Sequence, residues 1–444
     1  MTAGAIWLAS LGLLPGAGAP LLAHPSFRRF SFATRAVLAG GVGAALVSFA
    51  MTVFTLAGVR WNVAVVTAAA ALLAGALRLL LDREPDACPL APVPAGRADV
   101  LAAGLAAVSV LAAFVATRAG AATSVDLVFF WGPKAEQFAA AHGVDTGYLR
   151  EAYRQYMHPY YPPLVANLFA FASMTAGRFS WTAATWTFPL LLGALAIGLP
   201  GVLRAATPRT TALAASSLAV AALASLGILA DIGGNGDMPL LFFETLAIAL
   251  LLRPDSAGKS GELLAGLLLA GAATAKVEGL PFALAAAALY LVLRKGSASS
   301  RAWAGLRLLA PTAIALCAWF AFSLTRRLFS EYSEYGALFD IHPEHGSSIA
   351  AAIPRALYAT GHGLPWLVPL LCLVAAGRLS RRAVLPLGVA AALAAFLVFT
   401  YLHLAEDPAQ WIAWSANRVL APVPVLFALA ACGPRPADAG ALSS

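Results

Sequence analysis

The stretch LAAGLAAVSVLAAFVATRAGAATSVDLVFFWGPKAEQFAAAHGVD, residues 101 to 145, joins two kinds of chain. Up to about residue 119 it is an unbroken apolar run, long enough to cross a hydrocarbon core of about 30 Å as a helix. Beyond it, Asp126, Lys134 and Glu136 stand together just past the end of that helix. Runs of the first kind recur along the whole sequence, so the reading of this one decides the fold: an all-α, polytopic transmembrane helix bundle.

Composition agrees. Of 444 residues, 60% are hydrophobic and 11% charged, and the mean hydropathy is +0.79, far from the usual balance of soluble domains. In lipid a backbone must satisfy its own hydrogen bonds, which selects helices for such segments. The pattern predicts about 13 or 14 membrane helices, near 3 to 22, 36 to 58, 61 to 81, 99 to 119, 182 to 203, 211 to 230, 238 to 252, 262 to 275, 280 to 294, 305 to 325, 355 to 376, 383 to 402 and 419 to 432. No long soluble stretch interrupts them, so residues 1 to 444 read as one integral membrane domain. The first apolar segment lacks a basic n-region and reads as a membrane helix rather than a secretory signal. Cys88, Cys317, Cys372 and Cys432 lack CxxC spacing and read as small core residues.

The net charge of +8 follows from how loops sort across a bilayer, where Lys and Arg collect on the cytoplasmic side, so no nucleic-acid partner is expected. Basic loops such as HPSFRRFSFATR, LRKGSASSR and GRLSRR fall inside, and the acidic loops fall outside. This threading places the protein in the inner or plasma membrane with its ionisable clusters facing outward. Residues 161 to 179 are apolar yet break the parity if they cross, and are expected to form a re-entrant or surface-lying helix; otherwise they cross and a neighbour does not.

Ionisable groups near the membrane are costly and usually face a cavity or a partner. Four outer clusters stand out. In the first, WGPKAEQFAAAH forms an amphipathic helix with Trp131, Ala135, Phe138 and Ala139 on one face and Lys134 off it, expected to lie flat at the membrane surface. HPYYPPL, with His158 and Tyr161, closes that loop. In the second, ADIGGNGDMPLLFFETL, Gly233, Gly234 and Gly236 permit a tight turn and Asp237 caps the next helix. Glu244 lies on the same face two turns deeper, where a carboxylate must be neutral or paired. In the third, Lys276 and Glu278 break two short apolar halves, which makes Lys276 a candidate partner for Glu244 or Asp237. The fourth carries Arg418 after two tryptophans, at the opening of the last helix, and is grouped with the loop holding Arg326 and Arg327.

Histidine gathers on the outer side, at positions 142, 158, 342, 345, 362 and 403. HPEH offers two ring donors three residues apart, but spacing fixes no third ligand. The reading therefore assigns no cofactor and no metal ligand, with a divalent metal as the minor alternative.

An Asp early in a long outer loop, HPYYPPL, GNGDMPL (residues 234 to 240), KVEG (276 to 279) and, more faintly, NRVLAPVP (417 to 424) together resemble the GT-C superfamily. These are membrane glycosyltransferases that use polyprenyl-phosphate sugars, among them protein O-mannosyltransferases and aminoarabinose transferases of lipid A. The resemblance runs from about Asp126 to Gly279. It implies a GT-C-like module over 99–294, extra helices over 1–98 and C-terminal helices over 295–444. It also implies Asp126 as general base, Asp237 as a second catalytic acid residue, and Lys276 and Arg418 as ligands of the lipid-linked phosphate. Lys134, Glu136, His158, Tyr161, Glu244 and Glu278 complete the candidate substrate-binding set. The implied partners are a polyprenyl-phosphate-linked sugar, an acceptor of unspecified class (glycan, lipid or protein) and membrane lipid. Three extra helices precede residue 99 where the family usually has a single helix before this loop, and the loop shows a single Asp where many members have a pair.

Plainer readings stand beside these. Asp126 fits an ordinary helix-terminus residue, Asp237 a helix cap, Lys276 and Glu278 a pair of their own, and Trp131 and Tyr161 an aromatic belt. For the whole chain, a secondary transporter or lipid-linked-sugar flippase is the alternative, since short broken helices with buried charge also mark transporters. An internal repeat is missing. A ligase- or polymerase-type enzyme would carry its largest outer loop late, whereas here the longest loop is early.

Overall fold

The computed structural model describes residues 2–81, 95–120, 124–151, 158–204, 207–229, 236–253, 258–328, 340–377, 380–404 and 406–431. Cys88, Gly233, Gly234, most of the late acidic loop and the tail with Cys432 lie outside them.

Every regular element among the described residues is helical. Among the described residues, eight helices are long and apolar enough to cross a membrane, or nine if the bent pair Pro343–Ala359 and Gly361–Ala375 counts as one span. The chain is thus a multi-pass membrane protein built as an all-α bundle. The remaining predicted segments are helices too, but shorter or bent. Val63–Leu79, Asp237–Leu251, Lys259–Ala275 and Gly279–Leu293 each hold 17 residues or fewer.

Two of these short helices form the centre. Every residue from Asp237 to Leu251 is buried, and so is every residue from Glu262 to Ala275. A helix apolar on all sides finds cover only inside a bundle; these two pack on each other, with Phe32–Leu56, Thr187–Leu203 and Ala298–Thr325 around them. Near the N-terminus, Leu13–Leu22 and Phe32–Leu56 touch backbone to backbone. A Cβ at Gly18 would lie 2.1 Å from the Ala39 carbonyl oxygen, and one at Gly43 would lie 1.8 Å from that of Leu14. Small residues permit this approach in membrane helices, where packing rather than water drives association.

Several expectations need correction. Residues 161 to 179 become the helix Leu164–Ala176 of 13 residues, about 20 Å long at 1.5 Å per residue, too short to cross alone. The surface-lying form of the expectation is overturned and the re-entrant form is not: Asn167 donates to Ser48 and Thr52 in the interior, and Trp7 Nε1 donates to Ser173 Oγ at 3.1 Å. The helix Gly132–Ala141 packs its apolar face on this one rather than on lipid, and Lys134, expected off that face, is itself buried. Cys317 and Cys372 face outward, not into the core. The segment 355 to 376 is not one helix but two, bent by 93°, because Gly361, His362 and Gly363 all take positive φ. Arg418 does not open the last helix; it sits in the last turn of Ala409–Val419, ahead of Pro422–Ala431.

One buried ionic cluster has no signal in the sequence. Glu262, fully buried, accepts from Arg294 Nε at 2.8 Å, from Arg307 Nε at 2.8 Å and from the Tyr290 hydroxyl at 3.1 Å. It ties Lys259–Ala275 to the two helices that follow it, Gly279–Leu293 and Ala298–Thr325. Glu262→Ala leaves two guanidiniums without their shared carboxylate. That is expected to cost about 3–5 kcal/mol, seen as a lower unfolding temperature in detergent; an unchanged one would show that the cluster contributes nothing.

Candidate functional site

At the other end of Lys259–Ala275 the helix stops at Lys276, whose backbone is extended, and restarts at Gly279. Lys276 and Glu262 are 14 positions apart, about 21 Å along a helix, so the two ionic clusters occupy opposite ends of one buried rod.

Five of the predicted residues meet at this break in a chain of alternating charge. Lys276 Nζ lies 3.2 Å from Glu278 Oε1 and donates to Asp237 Oδ1 at 2.7 Å. Arg418 Nε donates to the other oxygen of Asp237 at 2.7 Å. The same guanidinium closes on Asp126, Nη2 against Oδ2 and Nη1 3.5 Å from Oδ1. The order is therefore Asp126, Arg418, Asp237, Lys276, Glu278, with anions and cations alternating. The side chains of Asp237 and Lys276 are 3% and 7% exposed, while those of Asp126 and Arg418 are 14% and 23% exposed. The side chain of Glu278 is 18% exposed, so the ladder is buried at its middle and partly open at both ends, with the most exposed cation, Arg418, at the Asp126 end.

The members come from four places in the chain, Lys276 and Glu278 sharing the break between two helices. Asp126 leads directly into the turn Leu127–Trp131, whose Leu127 and Trp131 are anchored in the core. Asp237 is the first residue of its helix; the cap position is Gly236, and the Asp237 carboxylate bridges Lys276 and Arg418. Lys276 pairs with Asp237 and Glu278 rather than Glu244. Glu244, 2% exposed, keeps its Oε2 without a hydrogen-bond partner among the described residues, so of the candidate set it is buried near the ladder but not joined to it.

A second group lies alongside. Lys134 Nζ donates to the His158 carbonyl at 2.7 Å and sits 5.5 Å from the centre of the Trp131 ring. The His158 ring stacks on Tyr161, centroids 4.5 Å apart, and Trp131 lies 6.2 Å from Tyr161. Trp131 also joins this group to the charged one. A Cβ at Gly236 would come within 2.9 Å of the indole, so only glycine lets the ring close on the backbone beside Asp237. Glycine before the aspartate is visible in the sequence as a turn signal; its packing role is not. Glu136 is not brought in. It is exposed and faces Tyr148, whose phenol is pushed up by burial and then by Glu136 and Asp145.

The late histidines form no third group of this kind. His342 and His345 stack 5.3 Å apart, and His342 Nδ1 lies 3.0 Å from Glu344 Oε1. Among the described residues no set of three or more His, Cys, Asp or Glu is placed to hold a metal ion.

No protein-family model, curated protein or solved structure matches the chain.

Proposed function

We propose that the protein is a membrane glycosyltransferase that moves a sugar from a polyprenyl-phosphate donor to an acceptor hydroxyl, on the extracytoplasmic face of the plasma membrane. One observation carries the reading: residues 126, 237, 276, 278 and 418, scattered over nearly 300 positions, converge in a single ladder. One of its partly open ends presents a carboxylate and a guanidinium side by side.

Glycosyl transfer needs that combination. The acceptor oxygen bonds to the anomeric carbon while the bond from that carbon to the phosphate oxygen breaks. The acceptor's proton goes to Asp126, and the electron pair leaves with the prenyl phosphate, whose charge grows from one negative to two. A positioned base contributes to such a step, and fixed cations stabilise the leaving oxygen. Asp126 is the base, and Arg418 with Lys276 behind it is the phosphate site. Attack opposite the leaving group inverts the anomeric centre. Tyr161, His158 and Trp131 offer ring faces for the sugar.

The test is direct: purified protein in vesicles, given a radiolabelled polyprenyl-phosphate sugar and candidate acceptors, transfers label and releases polyprenyl phosphate. Absence of transfer with every sugar and acceptor class would sink the reading.

Glu244 favours a second reading, a proton- or cation-coupled carrier, because a buried carboxylate whose Oε2 has no partner among the described residues is a recurrent feature of carriers. A carrier loses coupled uptake on Glu244→Gln. The transferase keeps its turnover and, having lost no ion pair, changes in stability by on the order of 1 kcal/mol.

A further inference from the structure

Asp126, the base of the reading above, is engaged by Arg418. Its two carboxylate oxygens both face the guanidinium of Arg418, and the third nitrogen of that guanidinium is held by Asp237. While this contact lasts, the lone pairs of Asp126 that face the guanidinium are taken, and a donor phosphate that engages both terminal nitrogens of Arg418 competes with Asp126 for them. Resting on the transferase reading, we infer that Arg418 is a substrate-operated latch: the donor's phosphate draws it off Asp126, so the base is uncovered only after the lipid-linked sugar has bound.

The fold separates the latch from what it covers. Asp126, Asp237 and Lys276 adjoin Leu127, Met238 and Ala275, all members of the main core. Arg418 stands on Ala409–Val419, which packs through Ile412 and Ala416 into a smaller cluster of its own, with Ile349, Ala356, Leu397 and Tyr401. That helix ends just after Arg418, and Leu420 and Ala421 separate it from Pro422–Ala431. Arg418 therefore stands on a different packing cluster from the two carboxylates it holds. Arg418 is also the more exposed partner, and its planar fork fits a phosphate in two-point fashion as well as it fits a carboxylate. The opposing cost is modest, because Arg418 exchanges one anion for another.

The order that follows is donor first, acceptor second. It protects the enzyme from activating a hydroxyl, or water, where no sugar is ready to receive it.

A hydrophobic carbodiimide reads the state of the latch, since a carboxylate covered by a guanidinium is shielded from it. Wild-type protein in phosphatidylcholine vesicles is labelled with and without undecaprenyl phosphate, and with undecaprenol as the phosphate-free control; peptide mass spectrometry follows Asp126, with the exposed Glu136 as reference. Native mass spectrometry reports lipid binding separately. Undecaprenyl phosphate is expected to raise labelling at Asp126 severalfold and leave Glu136 unchanged, while undecaprenol raises neither. Arg418→Gln is expected to label strongly at Asp126 without lipid and to show no further rise. If undecaprenyl phosphate binds and labelling at Asp126 stays flat or falls, the latch is refuted and the transferase reading stands. If it does not bind, both fail. Should Arg418→Gln not fold, the wild-type comparison decides alone.

Discussion

Asp126→Asn is expected to fold and insert as the wild type does, and to lose transfer from a polyprenyl-phosphate sugar by about 10²–10⁴-fold, the usual contribution of a positioned base. The amide keeps the size of the side chain but cannot take a proton. Arg418 retains Asp237 at 2.7 Å, so the site still holds its cation and donor binding should survive. The informative measurement is therefore a pair: donor affinity near that of the wild type, with turnover removed. Wild-type turnover by the variant would refute Asp126 as the base. Equal loss of affinity and turnover would instead make it a binding residue.

Asp237→Ala is expected to produce the largest loss of stability at the site, about 3–5 kcal/mol, because it strips a carboxylate from a buried lysine and a partly buried arginine at once. Asp237 accepts from both Lys276 and Arg418, and its side chain is 3% exposed. The loss is read from the unfolding temperature in detergent. A double-mutant cycle with Lys276→Met separates pairing from packing: if the ladder is the cause, the double variant recovers part of what the single one lost, since the lysine no longer stands unpaired. Additive losses would show that Asp237 matters for its shape alone.

Much of this is legible in the chain itself. Hydrophobic runs of membrane length specify the helix class, because lipid leaves a backbone no other way to bond. The break at Lys276 and Glu278 is legible because a charge cannot sit in the middle of a lipid-facing helix without a reason. Lys134 misleads for a related cause. Helical periodicity puts it off the apolar face, but the His158 carbonyl, 24 positions away, gives its ammonium a partner indoors. Glu262 reads as one charge in a polar loop, and nothing local reveals that Arg294 and Arg307 converge on it.

Local hydropathy thus dictates a polytopic helical bundle and the residue types gathered at its polar breaks. Which carboxylate meets which cation is a matter of tertiary packing. Asp126 and Arg418 are 292 positions apart in the chain, and Coulomb attraction acts between neighbours in space, whatever their separation along the backbone. The centre of the fold is set in the same way: Asp237–Leu251 is too short to span comfortably, and its full burial depends on longer helices that other parts of the chain supply.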